Sequence, residues 1–154
     1  MKVPNLLPPA PKSSSPLWWF WERFTDFHTA VYRASHGRIG GTTYGVPVAL
    51  VESVGRKSGK RRTHPLLCLP DGENLVLIAS KGGTDRHPAW YYNLKANPET
   101  TAWWKGRKRD VRAREASGEE RERLWRMMAD AYPEYENYQG RTGRQIPVVV
   151  LEPV

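Results

Sequence analysis

The sequence is poor in cysteine and in long hydrophobic runs, and each shortage excludes a class of protein. Its 154 residues include one cysteine, Cys68, so no internal disulfide forms. No Cys/His group has the spacing of a zinc site, so we predict no metal. No apolar run is long enough to cross a bilayer, and no secretory-type apolar segment follows Met1. We therefore expect a cytoplasmic protein held together by packing.

The first 36 residues differ in composition from the rest of the chain. Residues 1–16 are rich in proline and serine, which predicts a disordered or loosely attached arm. Residues 17–36 carry aromatic side chains at helical intervals, which predicts an N-terminal aromatic helix. Leu17–Trp21 suggests peripheral contact with the inner face of the cell membrane, although a helix packed over the main domain is the alternative.

The remainder, residues 37–154, is predicted to be one mainly β domain with added helices. Six segments have strand-like patterns: 46–54, 63–69, 74–80, 100–104, 111–115 and 146–151. Turn residues at 70–73 and at Lys105-Gly106 predict hairpins. Helices are predicted at 88–97 and 118–131, the second beginning with a capping box of Ser117 and Glu120. Strands joined by hairpins favour a six-stranded closed barrel.

An excess of positive charge predicts an anionic partner. The formal net charge is +8, from 24 Lys and Arg against 16 Asp and Glu. The segment Gly55–Arg62 puts five cations and two glycines in one turn between two predicted strands. Backbone amides freed by glycine and guanidinium groups of this kind suit a phosphate. The segment is neither a P-loop nor a dinucleotide fingerprint, because Lys60 stands where the P-loop needs glycine. A solvated turn is the alternative interpretation.

Two further segments have the composition of a ligand site. Ser80–Trp90 leaves a strand through a double glycine and enters a helix, whose free amides favour an anionic group. Tyr132, Tyr135 and Tyr138 follow the second helix at a spacing of three, and their rings and hydroxyls suit a flat acceptor. For the first segment the alternative is a loop beside a core tryptophan, and for the second a satellite hydrophobic cluster.

Four segments, in this order, resemble the deazaflavin-dependent nitroreductase family of actinobacteria: Val54–Gly59, Ser80–Gly83, Pro88–Pro98 and Tyr132–Tyr135. The resemblance runs from about residue 33 to residue 153. It implies a split β-barrel of the flavin-binding type that binds coenzyme F-420. It also implies hydride transfer from reduced F-420 to a small-molecule quinone or nitroaromatic acceptor.

The resemblance also assigns residues. It implies that phosphate and tail are bound by Arg56, Lys57, Ser58, Arg62, Thr63, His64, Pro65, Leu66 and Leu67. It implies that the deazaflavin ring lies against Ile78, Ala79, Ser80, Lys81, Ala89, Trp90, Tyr91, Tyr92, Asn93 and Tyr135. The implied catalytic residues are Tyr135 and Ser80, and the implied substrate-binding residues are Tyr132, Tyr135 and Tyr138. His64 and Leu67 depart from the family's usual pattern.

Three other interpretations remain open at this stage. A barrel of this type also fits an oxidoreductase that binds flavin mononucleotide, or a non-catalytic deazaflavin carrier. A basic nucleic-acid-binding barrel would use Lys105–Arg109 together with Trp103 and Trp104. We expect no nucleic-acid partner, because the ordered cofactor-like segments would then be coincidental.

Overall fold

A computed structural model describes Ala30, Thr42, Thr43 and residues 45–154. The predicted arm, and the predicted aromatic helix apart from the helical residue Ala30, lie outside the described residues. Within the described part of the chain, none of the helices has both the length and the apolar character needed to span a membrane.

Eight strands and three α-helices lie within residues 42–154. The strands are β1 Thr42–Thr43, β2 Val46–Val54, β3 Arg61–Leu67, β4 Leu69–Asp71, β5 Asn74–Ile78, β6 Glu99–Trp104, β7 Arg107–Glu115 and β8 Val148–Pro153. The helices are α1 Ala89–Ala96, α2 Gly118–Ala131 and α3 Glu134–Gly140, and a 3-10 turn covers Lys81–Gly83. The six predicted strands correspond to β2, β3 and β5–β8 with shifted ends, whereas the short β1 and β4 were not predicted.

The sheet curls so that β3 and β4, which follow one another in the chain, lie at its opposite ends. The strand order is β1-β2-β6-β7-β8-β5-β4, and β3 pairs with β2. Leu50 of β2 pairs with both β3 and β6, so these two strands lie on opposite edges of β2. Only Cys68 separates β3 from β4, and its amide donates to the Pro47 carbonyl over 2.9 Å. The prediction of a mainly β barrel with added helices is confirmed.

Apolar side chains cover both faces of the central strands. In β5, Leu75 and Leu77 belong to one core cluster with Trp90 of α1, while Val76 belongs to a second cluster with Leu124 of α2. Successive side chains of a strand point to opposite faces, so α1 and α2 cover opposite sides of the same sheet. Burial on both faces explains why β5 and β8 are continuous apolar runs rather than alternating ones.

Two local predictions were wrong in detail. The hairpin between β4 and β5 turns at Gly72 and Glu73, because Pro70 and Asp71 still pair with β5. The capping box is absent, since Ser117 makes no side-chain cap at the start of α2. Glu120 instead accepts two hydrogen bonds from Arg114, at 2.5 and 2.9 Å, and a bidentate charged pair is stronger than a cap.

Candidate functional site

The loop between β2 and β3, residues 55–60, is called here the basic loop. The Gly55 amide donates to the Lys60 carbonyl, and the Gly59 amide donates to the Gly55 carbonyl, both over 2.8 Å. Gly59 has a φ of +70°, and a Cβ at Gly55 would collide with the Ser58 hydroxyl. The two glycines therefore shape a tight turn that exposes the intervening cations, as the sequence predicts.

A cleft of about 700 Å³ opens beside the basic loop. It is lined by Gly55, Arg56, Lys57, Ser58, Arg62, Thr63, His64, Pro65, Ala89 and Asn93. The side chains of Lys57 and Arg62 form no ion pair within residues 45–154. These two charges are available to an anionic ligand, since nothing in the described chain neutralises them.

A buried polar network fixes the basic loop to α1. The Asn93 side chain accepts hydrogen bonds from the Arg56 amide at 3.1 Å and from its guanidinium at 3.3 Å. Asn93 Nδ2 also donates to Ser53 Oγ over 3.2 Å, and Ser53 Oγ lies 3.0 Å from His64 Nε2. Ser53 is 1% exposed and Asn93 3%. Because buried polar groups are costly to leave unpaired, this network sets the position of the loop.

Residues 79–87 form a second loop, called here the glycine loop. It contains three consecutive left-handed residues, with φ of +45° at Lys81, +63° at Gly82 and +77° at Gly83. A Cβ at Gly83 would come within 2.5 Å of the Tyr138 carbonyl oxygen, so the loop packs directly against α3. Only glycine fits the third position.

Arg144, in the segment between α3 and β8, binds the glycine loop. Its Nη2 donates to the Ser80 carbonyl over 2.7 Å, and its Nε donates to the Thr84 carbonyl over 2.8 Å. Its Nη1 lies 3.4 Å from the Ala79 carbonyl and 2.9 Å from His87 Nδ1. Burial lowers the pKa of Arg144. Sequence reasoning did not identify this residue, because a single arginine in a turn has no local signature.

Aromatic rings lie between the two loops. The His87 ring centroid is 4.7 Å from that of Tyr91 and 5.6 Å from that of Tyr92. The Arg56 guanidinium lies 4.9 Å from the centre of the Tyr92 ring. Trp90 and Tyr91 are buried in the core, whereas Tyr92 is half-buried. Tyr92 is therefore the ring of α1 that a ligand between the loops would meet.

The three tyrosines form a buried cluster away from the basic cleft. The Tyr132 and Tyr138 hydroxyls lie 3.1 Å apart and share a hydrogen bond. Tyr135 is 4% exposed, and its hydroxyl has no hydrogen-bond partner among the described residues. Burial raises the pKa of Tyr135 far above its usual range, so the phenol stays protonated.

Most of the residues assigned from the sequence fall into two groups, and the others lie in the glycine loop, in α1 or in the core beside it. The first lines the cleft and comprises Arg56, Lys57, Ser58, Arg62, Thr63, His64, Pro65, Ala89 and Asn93. The second is the tyrosine cluster, which packs with Ile78 of β5 and with the half-buried Leu67. Ser80 and Lys81 lie in the glycine loop, which contacts α3 and so approaches the second group. Leu66 and Ala79 pack in the core cluster of α1.

The two tryptophans of the hairpin of β6 and β7 expose little ring surface. Lys105, Arg107 and Lys108 are exposed. Trp104 is 5% exposed, and Trp103 is half-buried against a cluster of β2 residues. Stacking on a base needs an open ring face, so this hairpin is a poor platform for single strands.

No metal site is visible in the part of the chain that the structure describes. Residues 45–154 contain no group of three or more His, Cys, Asp or Glu side chains that could hold a metal ion.

Several known proteins with similar sequences carry the same functional name. Residues 24–153 match the profile of the family described as F420H(2)-dependent quinone reductase. A putative F420H(2)-dependent quinone reductase of Mycobacterium tuberculosis is 44% identical over 108 residues, which cover 70% of this chain and 91% of the relative. An F420H(2)-dependent quinone reductase of the same organism is 40% identical over 128 residues, covering 80% of this chain and 86% of the relative.

Solved structures agree with these matches. A structure of an F420-H2 dependent reductase is 43% identical, with a TM-score of 0.64, and covers 69% of this chain and 94% of its own. A structure described as a domain-swapped dimer is 38% identical, with a TM-score of 0.65, and covers 90% of this chain and all of its own. The chain therefore belongs to the family of F420H(2)-dependent quinone reductases.

Proposed function

We propose that this protein transfers a hydride from reduced coenzyme F-420 to a quinone. Two relatives named as quinone reductases of this kind are 40% and 44% identical, and each match covers most of the relative's length. The observation that carries the proposal is the cleft of about 700 Å³ beside the basic loop. Lys57 and Arg62 line this cleft and form no ion pair with any residue that the structure describes. Such a cleft fits a cofactor that carries a phosphodiester and a tail of carboxylates.

The cofactor's phosphate and tail would be held by the basic loop and the start of β3. Lys57 and Arg62 supply charge, and the Lys57 and Ser58 amides make no hydrogen bond to described residues. Amides and arginine or lysine side chains together form strong, charge-assisted contacts to phosphate oxygens. The Arg56 guanidinium donates a hydrogen bond to the Asn93 side chain, so Arg56 shapes the loop as well as attracting the anion.

The ring of the cofactor would lie beside the glycine loop and Tyr92. When bound, reduced F-420 supplies the hydride, and the protein supplies orientation and electrostatics. Ser80 is half-buried, and its hydroxyl makes no hydrogen bond within the described residues. Ser80 can therefore donate to a polar edge of the ring or to an acceptor oxygen. Trp90 contributes by packing α1 against the sheet, since it is buried.

Reduction of a quinone to a hydroquinone needs a proton as well as a hydride. We assign the hydrogen bond to the acceptor oxygen to Tyr135, with Ser80 as a second donor and with Tyr132 and Tyr138 shaping the acceptor side. The Tyr135 phenol stays protonated, so it donates a hydrogen bond to a developing oxyanion. Because Tyr135 is 4% exposed, an acceptor contacts its hydroxyl only when neighbouring side chains move.

A titration of the purified protein with reduced F-420 tests the proposal. We expect tight binding, followed by oxidation of the deazaflavin when menadione is added. Flavin mononucleotide, reduced nicotinamide cofactor and single-stranded DNA serve as controls. Binding of F-420 without oxidation by either menadione or a nitroaromatic would indicate a carrier. Binding of flavin mononucleotide in place of F-420 would replace the proposal with a flavin enzyme.

The proposed contact with the membrane is a separate hypothesis, since Leu17–Trp21 lies outside the described residues. Cosedimentation with anionic liposomes would compare the full chain with a chain that begins at Arg33. Equal binding of the two proteins would end the hypothesis.

A further inference from the structure

The glycine loop contains a strained turn that needs support from outside the loop. Lys81 has a φ of +45°, although it carries a side chain. A non-glycine residue in this region costs about 1–2 kcal/mol, and such strain persists only where the surrounding structure fixes it. The shape of the loop at Ser80 and Lys81 therefore depends on what binds it from neighbouring segments.

Arg144 binds the loop on both sides of that turn. Its guanidinium donates to the Ser80 carbonyl before the turn and to the Thr84 carbonyl after it, at 2.7 and 2.8 Å. A guanidinium presents its N–H groups in one rigid plane, so two carbonyls bound to it have a fixed separation and direction. The ammonium group of a lysine is a compact charge, so it cannot fix the separation and direction of two carbonyl groups.

The side chain of Arg144 binds carbonyl groups of the glycine loop rather than a carboxylate. Within residues 45–154 the guanidinium forms no ion pair with a carboxylate, and its acceptors are carbonyl oxygens and His87 Nδ1. Its own backbone is anchored, because the Gln139 side chain donates to the Arg144 carbonyl over 2.7 Å. The residue thus ties the glycine loop to α3, the helix that carries Tyr135 and Tyr138.

We propose that Arg144 is a positioning residue for the ring of the cofactor. It holds the turn at Lys81 in its strained shape and so fixes where Ser80 and Lys81 stand. The inference rests on the proposed function, in which these two residues border the ring. Arg144 acts through them and does not contact the reacting atoms.

The test uses two variants and a matched control. Arg144→Gln removes the rigid fork, and Arg144→Lys keeps the charge without the fork. Arg123→Gln is the control, because Arg123 also makes two hydrogen bonds, to Asp71 at 2.9 and 3.0 Å, but on an exposed surface away from both loops.

Hydrogen exchange in the cofactor-free protein gives the first readout. The Gly83 amide donates to the Ser80 carbonyl over 2.9 Å, and the Thr84 amide donates to the Lys81 carbonyl over 3.3 Å. We expect Arg144→Gln to speed exchange at these two amides by about tenfold, because local opening becomes easier. Arg123→Gln should leave them unchanged.

Binding and turnover give the second readout. In Arg144→Gln we expect kcat to fall by about tenfold, with an altered absorption band of the bound deazaflavin. The Kd for F-420 should change by less than about threefold, because affinity resides in the cations of the cleft. Arg144→Lys should recover little of kcat. Wild-type kcat or wild-type exchange in Arg144→Gln would overturn this inference alone, whereas failure of the wild type to bind F-420 would overturn the proposed function with it.

Discussion

The basic loop and the glycine loop show two ways of building a binding site. The basic loop, residues 55–60, is exposed, and its anchor is the contact between Arg56 and Asn93. The glycine loop, residues 79–87, has a buried centre and is held by Arg144 and by contact with α3. The first loop offers exposed charge on an anchored turn, while the second offers a buried shape fixed by its neighbours. We therefore expect affinity to depend on the first loop and turnover on the second.

The largest effect should come from removing charge at the cleft. Lys57→Ala combined with Arg62→Ala should weaken F-420 binding by about a thousandfold, because each charge-assisted contact contributes about 1.5–3 kcal/mol. The salt dependence of binding should fall as well. Lys105→Ala with Lys108→Ala is the control, since it removes two exposed cations from another hairpin. Equal affinities for the two double variants would remove the basic loop from cofactor binding.

A pair of glycine substitutions compares the two loops directly. Gly83→Ala combines a φ of +77° with a clash against the Tyr138 carbonyl, so it should lower the free energy of unfolding by about 3 kcal/mol. Gly59→Ala has a φ of +70° and open space around its Cβ, so about 1 kcal/mol is expected. Urea denaturation measures both. Equal losses would mean that the glycine loop is no more constrained than the basic loop.

Removal of the Tyr135 hydroxyl should lower turnover without lowering the free energy of unfolding. Tyr135→Phe should lower kcat by about a hundredfold, the usual cost of losing one oxyanion donor. Its free energy of unfolding should not fall, because the buried hydroxyl has no partner to lose among the described residues. Tyr132→Phe is the comparison and should cost about 1 kcal/mol of stability, since it breaks the bond to Tyr138. Unchanged turnover in Tyr135→Phe would exclude Tyr135 from the mechanism.

The smallest effect concerns the pH dependence of the glycine loop. Burial lowers the pKa of His87 below its ordinary value of 6.5, and the Arg144 charge lowers it further. Glu115 opposes this shift, and Lys95 adds to it. The unfolded chain therefore takes up the proton first, so stability is full above pH 6.5 and declines as the pH falls below that value. His87→Asn keeps an acceptor for Arg144 without a titrating ring. Thermal unfolding at about pH 8 and about pH 5.5 should show a smaller loss of Tm in this variant than in the wild type.

The regular elements could be predicted because each has a local pattern. Strand β2 has four valines among its nine residues, and Gly106 in the turn after β6 adopts the positive φ that a two-residue hairpin turn needs. Helix α3 was not predicted, because the spacing of its tyrosines was interpreted as part of a ligand site rather than as a helix. Pro133 followed by acidic residues in the first turn would have predicted its start. Pro70 and Asp71 of β4 were predicted as turn residues, because proline and aspartate are typical of turns.

The site was predictable only in part, because its polar contacts join distant segments. The cations of the basic loop are adjacent in sequence and were identified. Ser53 was not, since its partners His64 and Asn93 lie 11 and 40 residues away. Arg144 was missed for the same reason, being 64 residues from Ser80. A contact of this length leaves no periodic pattern, so only the folded chain shows it.

The position of β8 has a consequence for the order in which the chain folds. This strand pairs with β7 on one edge and β5 on the other, and Val76 pairs with Val150. The hairpin of β6 and β7 closes a short loop and can form early, whereas the pairing of β5 with β8 must close a far longer one. Until β8 arrives, β5 and β4 have no ladder pairing with the other strands that the structure describes. Folding should therefore be slow compared with that of a helical bundle of this size, and the rate-limiting step should include docking of β8.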